Sequence, residues 1–230
     1  MKRIGLLGGM SWESSAEYYR FLNEEVRARC GGLHSADCLL RSVDFTNVEP
    51  LQRAGRWEEA GALLAAEARA LTTAGAEVLV LCTNTMHKVA DAVTAAVDVP
   101  FVHIADATAE AVRADRLRTV GLLATAYTME QDFYVGRLRE THGINVLVPG
   151  AEDRRIVHDV IYDELCVGVI SDSSREEYRR IMLELSERGA QGILFGCTEI
   201  DLLVGPQDAP VPVFDTTRLH VKKAVDLALA

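Results

Sequence analysis

The sequence predicts an α/β fold built from two similar lobes, each containing a parallel sheet. Short apolar runs rich in β-branched residues alternate with longer amphipathic stretches, as in consecutive βαβ units. The chain also repeats itself: residue 75 aligns with residue 189, an offset of 114, and three other segments align at nearly the same offset. The aligned pairs are 75–83 with 189–197, 4–7 with 120–123, 17–19 with 132–134, and 99–102 with 211–214. Together these observations predict two copies of one αβ unit.

Eight strands are predicted from the apolar runs, four in each copy of the repeat. They cover residues 3–7, 38–43, 78–81, 101–104, 119–123, 145–147, 192–195 and 211–214. The clearest helix is 56–74, which is rich in Ala, Leu and Glu and ends at Gly75. Helix 178–188, before Gly189, is its counterpart in the repeat. A glycine directly after a helix is a common stop signal.

The repeat also predicts the domain organisation. Lobe 1 is expected to contain residues 1–104 and the C-terminal segment 208–230, and lobe 2 residues 105–207. Open αβ sheets bind ligands beyond the carboxyl ends of their strands. If a pseudo-two-fold axis relates the lobes, the loops after residues 81 and 195 face one another across a single active-site cleft.

Composition restricts the class of function. The formal net charge of −10 argues against a nucleic-acid partner, which would need a basic surface. The N-terminal apolar run stops at Gly8 and Gly9, too early for a signal peptide, and no run approaches the ~18 apolar residues of a membrane span. Five cysteines without metal-type spacing indicate free thiols in a reducing compartment. The expected location is the cytoplasm, with no membrane contact.

Two loops carry the candidate chemistry. Cys82-Thr83-Asn84-Thr85 and Gly196-Cys197-Thr198-Glu199 each follow a predicted strand directly and are expected to lead into a helix. Backbone N–H groups at a helix N-terminus bind carboxylates and lower the pKa of a nearby thiol. Cys197 is therefore expected to exist partly as a thiolate, whereas the alternative is a buried cysteine at a strand end.

These loops resemble the aspartate/glutamate racemase superfamily, and the resemblance extends over nearly the whole chain. It includes residues 8–12 (GGMSW) after the first strand, residues 103–107 (HIADA) and residues 214–216 (FDT). The resemblance implies racemisation of a small or acidic amino acid without pyridoxal phosphate. In such a reaction one group removes the α-proton and a second delivers a proton to the opposite face.

The sequence departs from the family pattern at two positions. Family members usually carry a cysteine in each loop, but the repeat aligns Thr83 with Cys197 and leaves Cys82 opposite Gly196. Since a hydroxyl is a poor base, the resemblance implies that Cys197 acts on the L-substrate, that Thr83 relays a proton, and that L-amino acids are accepted better than D-amino acids. Cys166 stands where several acidic-substrate relatives have a lysine, four residues after Tyr162, which puts strict aspartate selectivity in doubt.

The remaining candidate residues are polar side chains or backbone amides near strand ends. Predicted substrate contacts, on carboxylate, ammonium or side chain, are Met10, Gln52, Asn84, Thr85, Thr125, Thr128, Thr198 and Glu199. Arg53 is a further candidate to read the substrate side chain, with an exposed helix start as its alternative. His87 and His103 are interpreted as helix or core histidines. No cofactor and no metal is predicted: the spacing of His, Cys, Asp and Glu is not that of a metal site, and Lys88 is a poor candidate for a Schiff base.

Two alternatives to racemisation stay open. Superfamily members with only the second cysteine decarboxylate malonates, and others isomerise maleate. A non-catalytic amino-acid-binding protein that has lost one base would also explain Thr83. A homodimer is the expected assembly, because homodimers are the commonest oligomers and are familiar in this superfamily.

Overall fold

The computed structural model describes all 230 residues, Met1–Ala230, and contains eight strands. They are β1 (Ile4–Gly8), β2 (Cys38–Ser42), β3 (Val78–Leu81), β4 (Phe101–Val102), β5 (Thr119–Leu123), β6 (Asn145–Leu147), β7 (Ile193–Phe195) and β8 (Val213–Asp215). All eight predicted strands are present. Strand β8 differs most, since it begins at Val213 and not at residue 211 and ends at Asp215, one residue later than predicted. Residues 103 and 104 are not part of β4, because Ile104 already begins the next helix.

Eleven α-helices connect the strands. They are α1 (Trp12–Cys30), α2 (Glu49–Arg53), α3 (Trp57–Thr73), α4 (Ala90–Thr94), α5 (Ile104–Ala114), α6 (Ala126–Glu130), α7 (Asp132–His142), α8 (Ala151–Asp159), α9 (Asp172–Glu187), α10 (Ile200–Leu203) and α11 (Thr216–Leu229). The predicted helix 178–188 starts six residues earlier than expected, at Asp172, and ends before Gly189 as expected. None of these helices combines the length and the apolar composition that a membrane-spanning helix needs.

The strands form two four-stranded parallel sheets with the same topology. The order is β2-β1-β3-β4 in one sheet and β6-β5-β7-β8 in the other. Each strand of the first sheet therefore has its counterpart at the same place in the second. The predicted α/β fold class with two similar parallel-sheet units is confirmed.

The chain divides into two compact units around these sheets. Unit 1 contains Met1–Ile104 and His220–Ala230, and unit 2 contains Ala105–Leu219. Residues 208–219 were assigned to lobe 1 from the sequence but lie in unit 2, because β8 pairs with β7 and extends the second sheet.

The central strands β1 and β3 of unit 1 are buried on both faces, as strands of parallel sheets generally are. Alternate residues of β1 and β3, such as Ile4 and Val78, pack with α1 and with the C-terminal half of α11. The intervening residues, such as Leu7 and Leu79, pack with α3 and α4. This double coverage explains why the strands are continuous apolar runs in the sequence.

Two glycines show that the repeat extends to side-chain packing. A Cβ on Gly5 would lie 2.7 Å from Ala76 Cβ, and one on Gly121 would lie 3.0 Å from Leu185 Cδ1. Both distances are shorter than the normal contact between carbon atoms. The glycines occupy matching places on β1 and β5, so in each unit they allow the segment that leads into the paired strand, β3 or β7, to pack closely.

The C-terminal part of α11 is held in unit 1 by a buried histidine. His220 Nε2–H donates to Val102 O (2.7 Å), and Tyr18 Oη–H donates to His220 Nδ1 (2.8 Å). Since a carbonyl only accepts, these partners fix the neutral Nε2–H tautomer. Burial lowers the pKa of His220 to about 4.

Unit 1 is therefore expected to lose stability in mild acid. A histidine pKa below its ordinary 6.5 in the folded state means that the unfolded chain binds the proton first. The contribution is complete above pH ~6.5 and is lost as the pH falls towards ~4, by up to about 3 kcal/mol. Urea unfolding at pH 7 and pH 5 measures this loss, and His220→Gln should reduce its slope.

The exposed His34 provides the matched control. His34→Gln is expected to leave the pH dependence of the unfolding free energy unchanged. An identical pH dependence in the wild type and in His220→Gln would contradict the assignment.

Candidate active site

Thr83, the predicted proton relay, follows the central strand β3 of unit 1 and is partly exposed. Its neighbour Cys82 is fully buried in the core between β1, β3 and α1, and burial raises the pKa of its thiol well above the ordinary value. Cys82 O accepts a hydrogen bond from Ser14 Oγ (3.1 Å), which connects the loop to the start of α1. Cys82 is therefore part of the core, although it is adjacent to Thr83 in the chain.

His87 holds the Thr83 loop in place through its two ring nitrogens. Nδ1–H donates to Thr83 O (2.7 Å), and the Ile104 backbone N–H donates to Nε2 (3.2 Å). Burial and the neighbouring His103 and His220 lower the pKa of His87 well below its ordinary value. A neutral ring with one donor and one acceptor therefore joins the end of β3 to the start of α5.

The other candidate residues of unit 1 lie around this loop in different environments. Asn84 and Thr85 are buried next to Thr83. The Met10 side chain, after β1, packs in the apolar cluster that also contains Met86, and Gln52 Nε2 donates to Met86 Sδ (2.8 Å). Because β1 and β3 are paired, Met10 and the Thr83 loop are at neighbouring strand ends.

Cys197, the predicted base, occupies the matching place in unit 2, after the central strand β7. Its side chain is partly exposed, and its Sγ–H donates to Oε2 of the buried Glu199 (2.9 Å). A Cβ on Gly196, the counterpart of Cys82, would lie 2.9 Å from Ala124 Cβ. The small residue lets the chain pass close to the end of β5 before Cys197.

The expectation that Cys197 is partly a thiolate was wrong for the state that the structure describes. Burial raises the pKa of the thiol well above its ordinary value, and the negative charge of Glu199 raises it further. The sequence argument relied on a helix beginning at this loop, but α10 begins only at Ile200 and has four residues. Cys197 is therefore a thiol with a carboxylate placed to accept its proton.

A second loop of unit 2 carries the predicted threonine contacts. Thr125 and Thr128 are buried after β5, with their Oγ1 atoms 3.3 Å apart. The backbone N–H of Ala126 donates to His158 Nδ1 (3.2 Å), and the His158 ring lies against Tyr162 with a centroid distance of 4.7 Å. Since β5 pairs with β7, this loop and the Cys197 loop follow neighbouring strands of one sheet.

Each unit thus brings its own share of the candidate residues to the carboxyl edge of its sheet. Thr198 is buried beside Cys197 and Glu199. Arg53 is different: its side chain is 78% exposed and pairs with Glu49, which is the exposed helix position given as its alternative. Lys88 Nζ lies 4.3 Å from the centre of the Trp57 ring, in a cation–π contact.

Two histidines with positioning roles were missed from the sequence. His87 follows Thr83 by four residues, and this spacing could have suggested a contact to the loop. His158 is separated from Ala126 by 32 residues, so no local signal existed. No group of three or more His, Cys, Asp or Glu side chains could hold a metal ion.

Comparison with known proteins gives matches over the full chain. A family model described as Asp/Glu/Hydantoin racemase matches residues 7–224. A Yersinia pestis protein, provisionally assigned as an Asp/Glu racemase, is 56% identical over 100% of both chains, with a TM-score of 0.95. An aspartate racemase homologue from Pyrococcus horikoshii OT3 is 35% identical over 100% of both chains, with a TM-score of 0.88. Glutamate racemase from Francisella tularensis, in complex with D-glutamate, shares the fold: it is 16% identical, with 99% of this chain and 81% of that chain covered and a TM-score of 0.66.

Proposed function

Because the chain belongs to the Asp/Glu/hydantoin racemase family and is therefore an isomerase, we propose that it racemises small or acidic L-amino acids, aspartate and glutamate first, without pyridoxal phosphate. Support for the acidic substrate comes from the relatives at 56% and 35% identity, described as an Asp/Glu racemase and an aspartate racemase homologue. The observation that carries the mechanism is the Cys197 thiol donating to the buried Glu199 carboxylate at 2.9 Å.

The reaction begins with a proton transfer within unit 2. The Cys197 thiol gives its proton to the Glu199 carboxylate, and the resulting thiolate removes the α-proton of the L-amino acid. The electron pair of the broken C–H bond moves into the substrate carboxylate as an enolate. Backbone and side-chain donors near that carboxylate, for which Asn84, Thr85 and Thr198 are proposed, stabilise the added charge.

Thr83 completes the reaction from the opposite face of the α-carbon. Its hydroxyl donates a proton to that carbon while water restores the hydroxyl proton, and Glu199 then returns its own proton to solvent. Thr125, Thr128, Gln52 and the backbone at Met10 are proposed to hold the substrate. Cys82 is not proposed as a second base, because its thiol is buried in the core.

Because Cys197 is a stronger base than Thr83, we expect the L- and D-enantiomers to differ in kcat. Enantiomers have equal free energies, so kcat/KM must be the same in both directions, but kcat and KM need not be. Since a hydroxyl is a poor base, kcat from the D-enantiomer is expected to be at least ~10-fold below kcat from the L-enantiomer. Proton NMR in deuterium oxide, without added cofactor, measures the loss of the α-proton from each enantiomer.

Formation of D-aspartate or D-glutamate in this experiment would establish the reaction. Equal saturated initial rates from both enantiomers would contradict the division of roles between Cys197 and Thr83. No exchange with any amino acid, together with carbon dioxide release from a malonate, would replace the proposal with the decarboxylase alternative.

The homodimer and the cytoplasmic location are further parts of the proposal. Homodimers are the commonest oligomers. All five cysteines are free thiols, and a thiol as the reacting group is maintained in a reducing compartment.

A further inference from the structure

We propose that unit 2 carries a second binding site, for a small phosphorylated metabolite, in a cavity at the amino edge of its sheet. The cavity has a volume of about 450 Å³, within the range of small-molecule sites. Its lining residues include Arg113, Arg116, Arg118 and His142. The site is independent of the proposed racemase reaction.

The three arginines have no protein carboxylate as partner. Most arginines of the chain form an ion pair within their own unit, for example Arg137 with Asp106 at 2.7 Å. The arginines without an ion pair outside this cavity are Arg27, Arg69 and Arg155, which lie on three different helices. Three arginines without an ion pair lining one cavity are therefore a local concentration of positive charge in a chain whose formal net charge is −10.

Helix capping does not account for this charge. The C-termini of α5 and α7 point to the cavity, and a cation at a helix C-terminus is favourable. His142 is the last residue of α7, and its Nε2–H donates to Asp106 Oδ1 (2.8 Å). Arg137 Nε–H donates to the same oxygen. A single cation would be enough to stabilise the C-terminus of α5, whereas three arginines are present there.

The backbone of Arg116 gives a second and independent observation. Arg116 has φ = 60° and is the only residue other than glycine with a positive φ in the chain. Two backbone hydrogen bonds follow the end of α5: Arg116 N–H donates to Arg113 O (3.0 Å), and Leu117 N–H donates to Val112 O (3.1 Å). The same pair of hydrogen bonds ends α3 and α9, where the corresponding residues are Gly75 and Gly189.

A glycine at position 116 would thus fit the backbone without strain, as it does at the two equivalent helix ends. An arginine in this left-handed conformation is less stable than glycine, and such residues concentrate at functional sites. Arg116, the residue with this strained backbone, lines the cavity together with Arg113 and Arg118.

The chemistry of the cavity selects a phosphate group. Guanidinium groups bind phosphate oxygens through two parallel N–H bonds, and several of them together favour a multiply charged anion. The proposed base Cys197 and substrate contact Thr125 are at the opposite end of this sheet, since Arg118 precedes β5, Thr125 follows it and Cys197 follows the parallel neighbour β7. The five residues of β5 separate the two ends by roughly 17 Å.

Isothermal titration calorimetry with sodium pyrophosphate, at constant ionic strength in sodium chloride, tests the proposal. The wild type is expected to bind one pyrophosphate per chain, and Arg116→Gly is expected to weaken the affinity at least ten-fold. The same substitution is expected to raise the melting temperature or leave it unchanged, because it removes backbone strain. A purely structural role of Arg116 would instead lower the melting temperature.

Arg155→Ala is the matched control, as Arg155 is also exposed and without an ion pair. It should bind pyrophosphate as the wild type does, and both variants should racemise their amino acid at the wild-type rate. The proposal is overturned by an absence of saturable binding or by equal affinity in Arg116→Gly. Tighter binding of citrate than of pyrophosphate would also overturn the assignment to phosphate.

Discussion

Replacing Cys197 by serine is expected to lower kcat for the best L-amino acid by at least ~10³-fold, because a hydroxyl ionises far less readily than a thiol. Sγ and Oγ have similar positions, so the hydrogen bond to Glu199 can be kept and the loss is one of basicity. The measurement is the initial rate of α-proton exchange in deuterium oxide at saturating substrate. The unfolding free energy should change little, by about 0.5 kcal/mol or less, since serine is similar in shape to cysteine and can keep the hydrogen bond to Glu199.

Cys30→Ser is the matched control for this experiment. Cys30 is an exposed free thiol at the end of α1, and its replacement is expected to leave both rate and stability unchanged. The affinity of Cys197→Ser for the amino acid should also be unchanged, as the side chain acts on the proton and does not bind the carboxylate. A Cys197→Ser enzyme retaining more than about a tenth of the wild-type kcat would rule out Cys197 as the base.

The fold could be predicted in detail because its determinants are local. β3, β5 and β6 were located to the residue from their apolar runs, and the repeat correctly indicated two similar units that each contain a parallel sheet. Segment 208–219 lies in unit 2, where β8 pairs with the preceding strand β7, as the alignment of residues 99–102 with 211–214 would have indicated. The family resemblance, carried by the Thr83 and Cys197 loops, is confirmed by the match over residues 7–224.

The ionisation of the candidate site could not be predicted in the same way. Residue types at strand ends indicated which side chains gather there, but the pKa of Cys197 depends on burial and on the position of the Glu199 carboxylate. The sequence gives neither quantity. The role of His87 depends on a hydrogen bond from Ile104 N–H. Ile104 is the first residue of α5, but the sequence had placed it in a strand.

Replacing Glu199 by glutamine is expected to have the second-largest effect on the reaction, a loss of about 10²-fold in kcat at pH 7. Glutamine has the shape of glutamate but cannot take the proton of the Cys197 thiol. Two consequences of the substitution oppose each other. Removing the negative charge lowers the pKa of Cys197 towards its ordinary value, whereas removing the acceptor leaves solvent as the only destination for the proton.

The pH dependence of kcat separates these consequences. Burial still holds the Cys197 pKa above its ordinary value in Glu199→Gln, so the thiolate forms only as the pH rises towards that pKa. The variant's kcat is therefore expected to increase about ten-fold per pH unit from neutral pH upwards, while the wild type, with its internal acceptor, changes less over the same range.

Glu187→Gln, which changes an exposed carboxylate on α9, should follow the wild-type profile. If Glu199→Gln were faster than the wild type at pH 7, the carboxylate would be acting only to raise the thiol pKa. The proton would then have to leave Cys197 by another route. A slow variant that recovers with rising pH is the result that only a proton acceptor at Glu199 explains, because a structural defect would not be corrected by removing protons from solution.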